Sequence, residues 1–290
     1  MTPSLVLGGR RWLRGALLAA LAALMLAGCA TLDERQRAWI FQPGDRVWRG
    51  ALSAADGLED VWIDFRSAET GQPVRLHGLW LPQARPDAPV LLFLHGARYD
   101  VRGSAHRMRR MHALGFSVLG VDYRGFGRST DVLPSETLAY EDARAAWDWL
   151  AAHQPERARY LFGHSLGGAI AVHLATEVDD ARGLIVEGGF TSIPDVVGSF
   201  KWGWLPVGPL ITQRFEAGER IGRLRVPLLV VHGSRDSLIP AELGRRLFER
   251  APEPKRFVLV DGGSHHSTNA LALPQYRAAM NELFGLRRAE

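Results

Sequence analysis

The chain has 290 residues, 47% hydrophobic and 23% charged, enough to bury a sizeable core as one large domain or two small ones, so disorder and collagen-like structure are excluded. A single cysteine cannot form an internal bridge, so no disulfide framework supports the fold. The net charge of +4 includes Arg10, Arg11 and Arg14; without them 32 basic side chains face 31 acidic ones, a balance that argues against a nucleic-acid partner.

Residues 1–28 read as an export signal: three arginines, the apolar run Gly15 to Leu26, then small residues before Cys29. The run is too short to span a bilayer as a helix. Leu26, Ala27, Gly28 and Cys29 fill a lipobox, so the terminus resembles a bacterial lipoprotein signal. That resemblance implies cleavage before Cys29 and lipid attachment to its sulfur. Each buried CH₂ of the lipid contributes about 0.8 kcal/mol, and several chains give a firm membrane anchor. Ala30 stands after the cysteine where aspartate would mark a different destination, which by the same resemblance implies the periplasmic face of an outer membrane if the bacterium has two. An ordinary secretory signal or an uncleaved anchor is the plainer alternative.

Residues 29–50 are polar with a few aromatics (Trp39, Phe41, Trp48), a lipidated tether that packs at its far end, and residues 51–290 form the globular domain. Val61 to Arg66 and Arg75 to Leu81 alternate in strand fashion around Thr70, Gly71 and Gln72, which predicts an antiparallel hairpin. Val90 to Leu94, Ser117 to Val121, Tyr160 to Phe162, Gly183 to Val186, Leu228 to Val231 and Phe257 to Val260 are short continuous apolar runs. Such runs read as parallel strands buried on both faces. Between them Ala139, Ala143, Ala146, Trp147 and Leu150 share one helical face, with Ser135 placed to cap and Glu136 in the first turn. Alternating strand and helix predicts an α/β fold with a doubly wound, mostly parallel sheet that binds ligands at the carboxyl ends of its strands. Residues 193–224, crowded with Pro, Gly, Phe200, Trp202 and Trp204, interrupt this rhythm and predict a small lid between strands 6 and 7. The plainer reading is that Trp202 and Trp204 cover the sheet edge.

Gly163-His164-Ser165-Leu166-Gly167 spells G-x-S-x-G between a strand and a helix, the sharp turn that lifts a serine oxygen above the sheet. A serine hydroxyl needs a base to take its proton and an acid to orient that base. Asp236 follows the strand ending at Val231, and His265 follows the one ending at Val260, both at the same sheet edge. Asp195 and His266 are their rivals, and Asp236 could instead only close a turn. The backbone N–H groups of Ala97 and Leu166 are the expected oxyanion donors, the second helped by its helix dipole. His95 reads as a brace for the Ala97 loop.

Taken in order, His95-Gly96, Asp122 to Ser129, Gly163 to Gly168, Glu187 to Ser192, His232 to Asp236 and Gly262 to His265 resemble the α/β-hydrolase superfamily. Within it the chain is similar to small-lid serine hydrolases: esterases, protein depalmitoylases and relatives of the serine aminopeptidases. The resemblance implies Ser165 as nucleophile, His265 as base and Asp236 as orienter, acting on a small ester or thioester through an acyl-enzyme. His266 departs from the pattern, where relatives often carry Asn or a small polar residue. Without an H-E-x-x-H, paired cysteines, a phosphate loop or G-x-G-x-x-G after a strand, no metal or nucleotide cofactor is expected. Two other readings stand beside the esterase: a peptidase using Glu216 and Glu219 for a substrate amine, and a catalytically silent envelope scaffold. Nothing in the sequence indicates an oligomeric state.

Overall fold

The computed structural model describes residues 28–46, 52–201 and 203–286. Residues 1–27 of the expected export signal (1–28), together with Trp48 and Trp202, lie outside the described residues.

Eight strands form one sheet, in the order β1 (59–66), β2 (73–81), β4 (117–121), β3 (90–94), β5 (159–164), β6 (181–187), β7 (228–233) and β8 (255–260). Strands β1 (Glu59–Arg66) and β2 (Pro73–Leu81) are the antiparallel hairpin, with Arg66 opposite Pro73. Its turn closes through Ser67 N–H to Gln72 O at 2.9 Å and Gly71 N–H to Ser67 O at 2.8 Å. β2 then pairs antiparallel with β4 (Ser117–Val121). The rest, β3 (Val90–Leu94), β5 (Arg159–His164), β6 (Ala181–Glu187), β7 (Leu228–Gly233) and β8 (Lys255–Val260), run parallel. β3, β4 and β7 are buried throughout, as continuous apolar runs require. β8 departs from that expectation. It closes one edge of the sheet, most of its residues are half-buried, and Leu259 is exposed.

Helices cover both faces. On one side, α3 (Ala105–Ala113) and α10 (Leu273–Phe284), which follows the short α9 (Thr268–Leu271), contribute Met108, Met111, Tyr276 and Met280 to a core against Phe93 and Phe162. On the other, α4 (Glu136–His153), α5 (Leu166–Glu177) and α8 (Ala241–Arg250) pack Trp147, Ile170 and Leu247 against Leu92, Leu161 and Val230. Ser135 caps α4 by accepting from the Leu138 N–H at 3.2 Å.

The segment expected as a tether is helical over residues 28–41, designated α1, and α2 (Leu52–Ala55) follows it. Its far end is buried: Phe41 meets Phe215 edge-on, with ring centroids 5.7 Å apart. Gln36 donates to Leu210 O at 2.8 Å, and Asp33 accepts from Thr212 at 2.7 Å and Gln213 at 2.9 Å. α1 is thereby strapped across the segment 193–224, which contains α6 (Ile193–Gly198) and α7 (Ala217–Arg220) with 3₁₀ turns between and after them. That segment sits between β6 and β7, where the lid was expected. Phe215, Ile221 and Leu224 root it in the core, while Trp204 is 73% exposed and so does not cover the sheet edge.

Candidate active site

Ser165 stands between β5 and α5 with φ +55° and ψ −122°, a strained conformation for a residue with a Cβ. The turn around it admits only glycine on either side. A Cβ on Gly163 would lie 2.2 Å from Gly167 O, and one on Gly167 would lie 2.1 Å from Leu94 O. The Ser165 N–H donates to Glu187 O at 2.9 Å, and Ser165 O accepts from the Gly168 N–H at 2.8 Å, so both sides of the turn are fixed. The Leu166 N–H opens α5, where the first turn leaves donors unsatisfied. Ala97 lines the same cavity as Ser165 from the loop after β3, which is held by the Arg98 N–H to Phe41 O at 2.8 Å. Among the described residues, neither the Ala97 nor the Leu166 N–H is engaged elsewhere.

Asp236 and His265 come together although 29 positions separate them: His265 Nδ1 lies 2.7 Å from Asp236 Oδ2. The other carboxylate oxygen accepts from the Leu238 N–H at 3.0 Å and the Ile239 N–H at 2.8 Å, so Asp236 both closes its turn and holds the histidine. His232 Nε2 donates to Ile239 O at 2.8 Å and stands 3.4 Å from Asp236 Oδ2. Burial opposes ionisation of Asp236, but hydrogen bonds from His232, His265 and the Ile239 N–H hold its carboxyl well below the usual range. Ser165 and His265 line the same cavity. The Ser165 hydroxyl makes no hydrogen bond among the described residues, an arrangement common before substrate tightens the site.

The rivals are placed differently. Asp195 accepts from the Thr191 hydroxyl, and its N–H donates to Ser192 Oγ at the start of α6. His266 borders the cavity with its ring edge-on to His265 at 5.3 Å. Burial, then the nearby His265 and Arg107, push its pKa down. His95 Nδ1 donates to Gly96 O at 2.6 Å and Nε2 lies 3.5 Å from buried Asp122, the geometry of a brace. Glu216 pairs with Arg214 at 2.7 Å, and it and Glu219 border a different cavity from Ser165.

Sequence reasoning missed one polar cluster. Glu187, fully buried at the end of β6, accepts from Arg107 Nε at 2.9 Å and from the Tyr276 hydroxyl. The same guanidinium donates to the carbonyls of His265 and His266, each at 3.3 Å. An acid directly following an apolar strand run at the binding edge was the available signal. His164, buried beside them, is driven well below its ordinary pKa by burial first and then by Arg107 and the neighbouring histidines.

The cavity encloses about 650 Å³ between α1, α3, the lid and the loops after β5, β7 and β8. Among the described residues, no cluster of His, Cys, Asp or Glu could hold a metal ion.

Residues 85–215 match the family described as serine aminopeptidase, S33. An uncharacterized protein of Mycobacterium tuberculosis (strain CDC 1551 / Oshkosh) is 36% identical over 257 residues, spanning 87% of this chain and 88% of that protein. This chain belongs to the α/β-hydrolase superfamily. A second relative of this hydrolase, lysophosphatidylserine lipase ABHD12 of Danio rerio, is 32% identical over 187 residues, covering 58% of this chain and about half (48%) of that protein. Among solved structures, the Pyrococcus furiosus esterase Pf2001 superposes with a TM-score of 0.64 at 20% identity, covering 84% of this chain and 98% of that one. Est1E from Butyrivibrio proteoclasticus, with ferulic acid bound, gives 0.62 at 19% identity over 78% of this chain and 99% of that one. Both share the fold of this α/β-hydrolase.

Proposed function

We propose that this α/β-hydrolase is a serine esterase that cleaves carboxylic esters or thioesters through an acyl-enzyme. The observation that carries the reading is the Asp236–His265 pair, 2.7 Å apart, delivered to the cavity over which Ser165 is held in a strained turn. Asp236 holds the Nδ1 proton, leaving His265 Nε2 free to accept the Ser165 proton as Oγ attacks the acyl carbon. The Ala97 and Leu166 N–H groups receive the oxyanion, each donor contributing about 3 kcal/mol in the transition state. As the acyl carbon's bond to the leaving group breaks, His265 returns the proton to that group. Water, activated by the same imidazole, then releases the acid.

The name of the ABHD12 relative, a lipase, and the apolar lining of the cavity support an acyl chain as the part recognised. Ester is favoured over aminopeptidase chemistry because, among the described residues, no carboxylate lines the cavity to hold a substrate amine. The wild-type protein should label with a fluorophosphonate probe and hydrolyse short 4-nitrophenyl esters, while Ser165→Ala should do neither and still melt cooperatively. A folded wild-type protein that fails to label would favour the silent-scaffold reading.

The lipobox supports reading this esterase as an exported lipoprotein held on a membrane. Cys29 is exposed at the start of the described part of α1, and Trp39 and Ile40 near its other end line the cavity, so an anchor there would set the mouth near the lipid surface. Among the described residues, no helix is long and apolar enough to cross a membrane. Cells fed a labelled fatty acid should incorporate it into the wild-type chain and not into Cys29→Ser, and label retained in the variant would remove the anchor.

A further inference from the structure

The cavity lining is of two chemical kinds. The lid and the loops after β6 and β7 supply Phe190, Ile193, Val196, Phe200, Leu238 and Ile239, an apolar side suited to an acyl chain. The loop after β3 and α3 contribute Arg98, Arg107 and Arg110 to the lining, and among the described residues no aspartate or glutamate lines any part of the cavity.

These three cations are not equally balanced. Arg107 is paired with Glu187 at 2.9 Å. Among the described residues Arg110, one helical turn further along α3, donates only to Asn269 Oδ1 at 3.4 Å, and Arg98 only to Gln42 Oε1 at 3.2 Å. Neither has a carboxylate partner among the described residues. Arg110 is also half-buried, and a partly desolvated guanidinium with no carboxylate bonded to it gains from an arriving anion. Burial, followed by repulsion from Arg107, lowers its pKa against a smaller opposing attraction from Glu187, and His266 feels the positive field of Arg107 and Arg98. A planar donor fork in this state suits a phosphate or carboxylate.

We propose that Arg110, assisted by Arg98, forms an anion subsite for the alcohol half of the substrate, so the preferred substrates are acyl esters whose leaving alcohol carries a phosphate or carboxylate. With the acyl chain on the apolar wall and its carbonyl at Ser165, the alcohol half falls toward α3. Ser165 Oγ bonds the acyl carbon, the ester C–O bond breaks, and the alcohol leaves with the proton carried by His265. This assignment rests on the serine-esterase reading and adds the chemistry of its leaving group.

The test compares octanoylglycerol 3-phosphate with neutral octanoylglycerol, both below micellar concentration, using the full chain. The ratio of kcat/KM values, phosphate ester over neutral ester, should exceed about 10 at low salt and shrink as sodium chloride screens the subsite. Arg110→Gln should lower that ratio about 10- to 100-fold, and Arg110→Lys should retain part of it. Octyl phosphate should slow fluorophosphonate labelling of Ser165, with inorganic phosphate far weaker. A ratio at or below one in the wild type, an equal loss on both esters in a folded Arg110→Gln, or equal protection by inorganic phosphate would overturn the subsite. Failure to hydrolyse either ester together with failure to label Ser165 would instead overturn the esterase reading beneath it.

Discussion

At the scale of single residues, Asp236 sets what the site can do. Its two oxygens accept from His265 and from the Leu238 and Ile239 N–H groups, with His232 close by, so the ionised form is favoured even though the side chain is buried. Asp236→Asn keeps the volume but replaces one acceptor oxygen with a donor. If the amide presents N–H to His265 Nδ1, the imidazole must carry its proton on Nε2 and can no longer take one from Ser165. We expect kcat to fall about 10³- to 10⁴-fold with little change in Tm, measured on 4-nitrophenyl esters. A loss under tenfold would mean that another group orients His265. The glycine-flanked serine was legible in the sequence because its geometry is built from five consecutive residues. Choosing Asp236 over Asp195, or His265 over His266, depended on loops whose course local sequence does not fix.

Among elements, the Arg107–Glu187–Tyr276 cluster joins α3, the end of β6, α10 and the loop bearing His265. Its members are buried or nearly so, and removing one leaves an uncompensated charge in the interior. Arg107→Met is expected to destabilise the fold by about 3–5 kcal/mol in urea unfolding, with the double variant Arg107→Met/Glu187→Gln recovering part of that loss. Strict additivity of the two single changes would refute the coupling. Most strands could be read directly, since β3 and β4 fall on the residues expected. β8 was misjudged because an apolar run does not reveal whether a neighbour covers its outer side. The helix α1 was missed because its polar surface gives little periodic signal, and its order comes from Phe41 and from contacts with residues more than 170 positions away.

For the whole molecule, histidines kept neutral by partial or full desolvation tie stability to pH. His173 on α5 stacks on Tyr140 of α4 with ring centroids 3.7 Å apart, and burial, then nearby Arg220, lowers its pKa to about 4. His164 and His266 shift in the same direction. Above pH 6.5 neither the folded nor the unfolded chain gains a proton at His173. Between pH 6.5 and 4 the unfolded chain binds one that the native state excludes, so stability falls with acidification and this contribution levels off below about pH 4. Urea midpoints measured against pH should show the slope, and His173→Phe should flatten it; an unchanged slope would assign the acid sensitivity elsewhere.

The sequence by itself determined the α/β architecture, the hairpin, the capped α4 and the serine turn, because each is written in short-range periodicity or in neighbouring residues. Tertiary structure decided which acid meets which histidine, which strand forms the sheet edge, that α1 straps the lid, and that one cavity gathers both an apolar lining and three arginines. Those outcomes depend on contacts between distant segments, whose energies exist only after the chain has closed the loops between them.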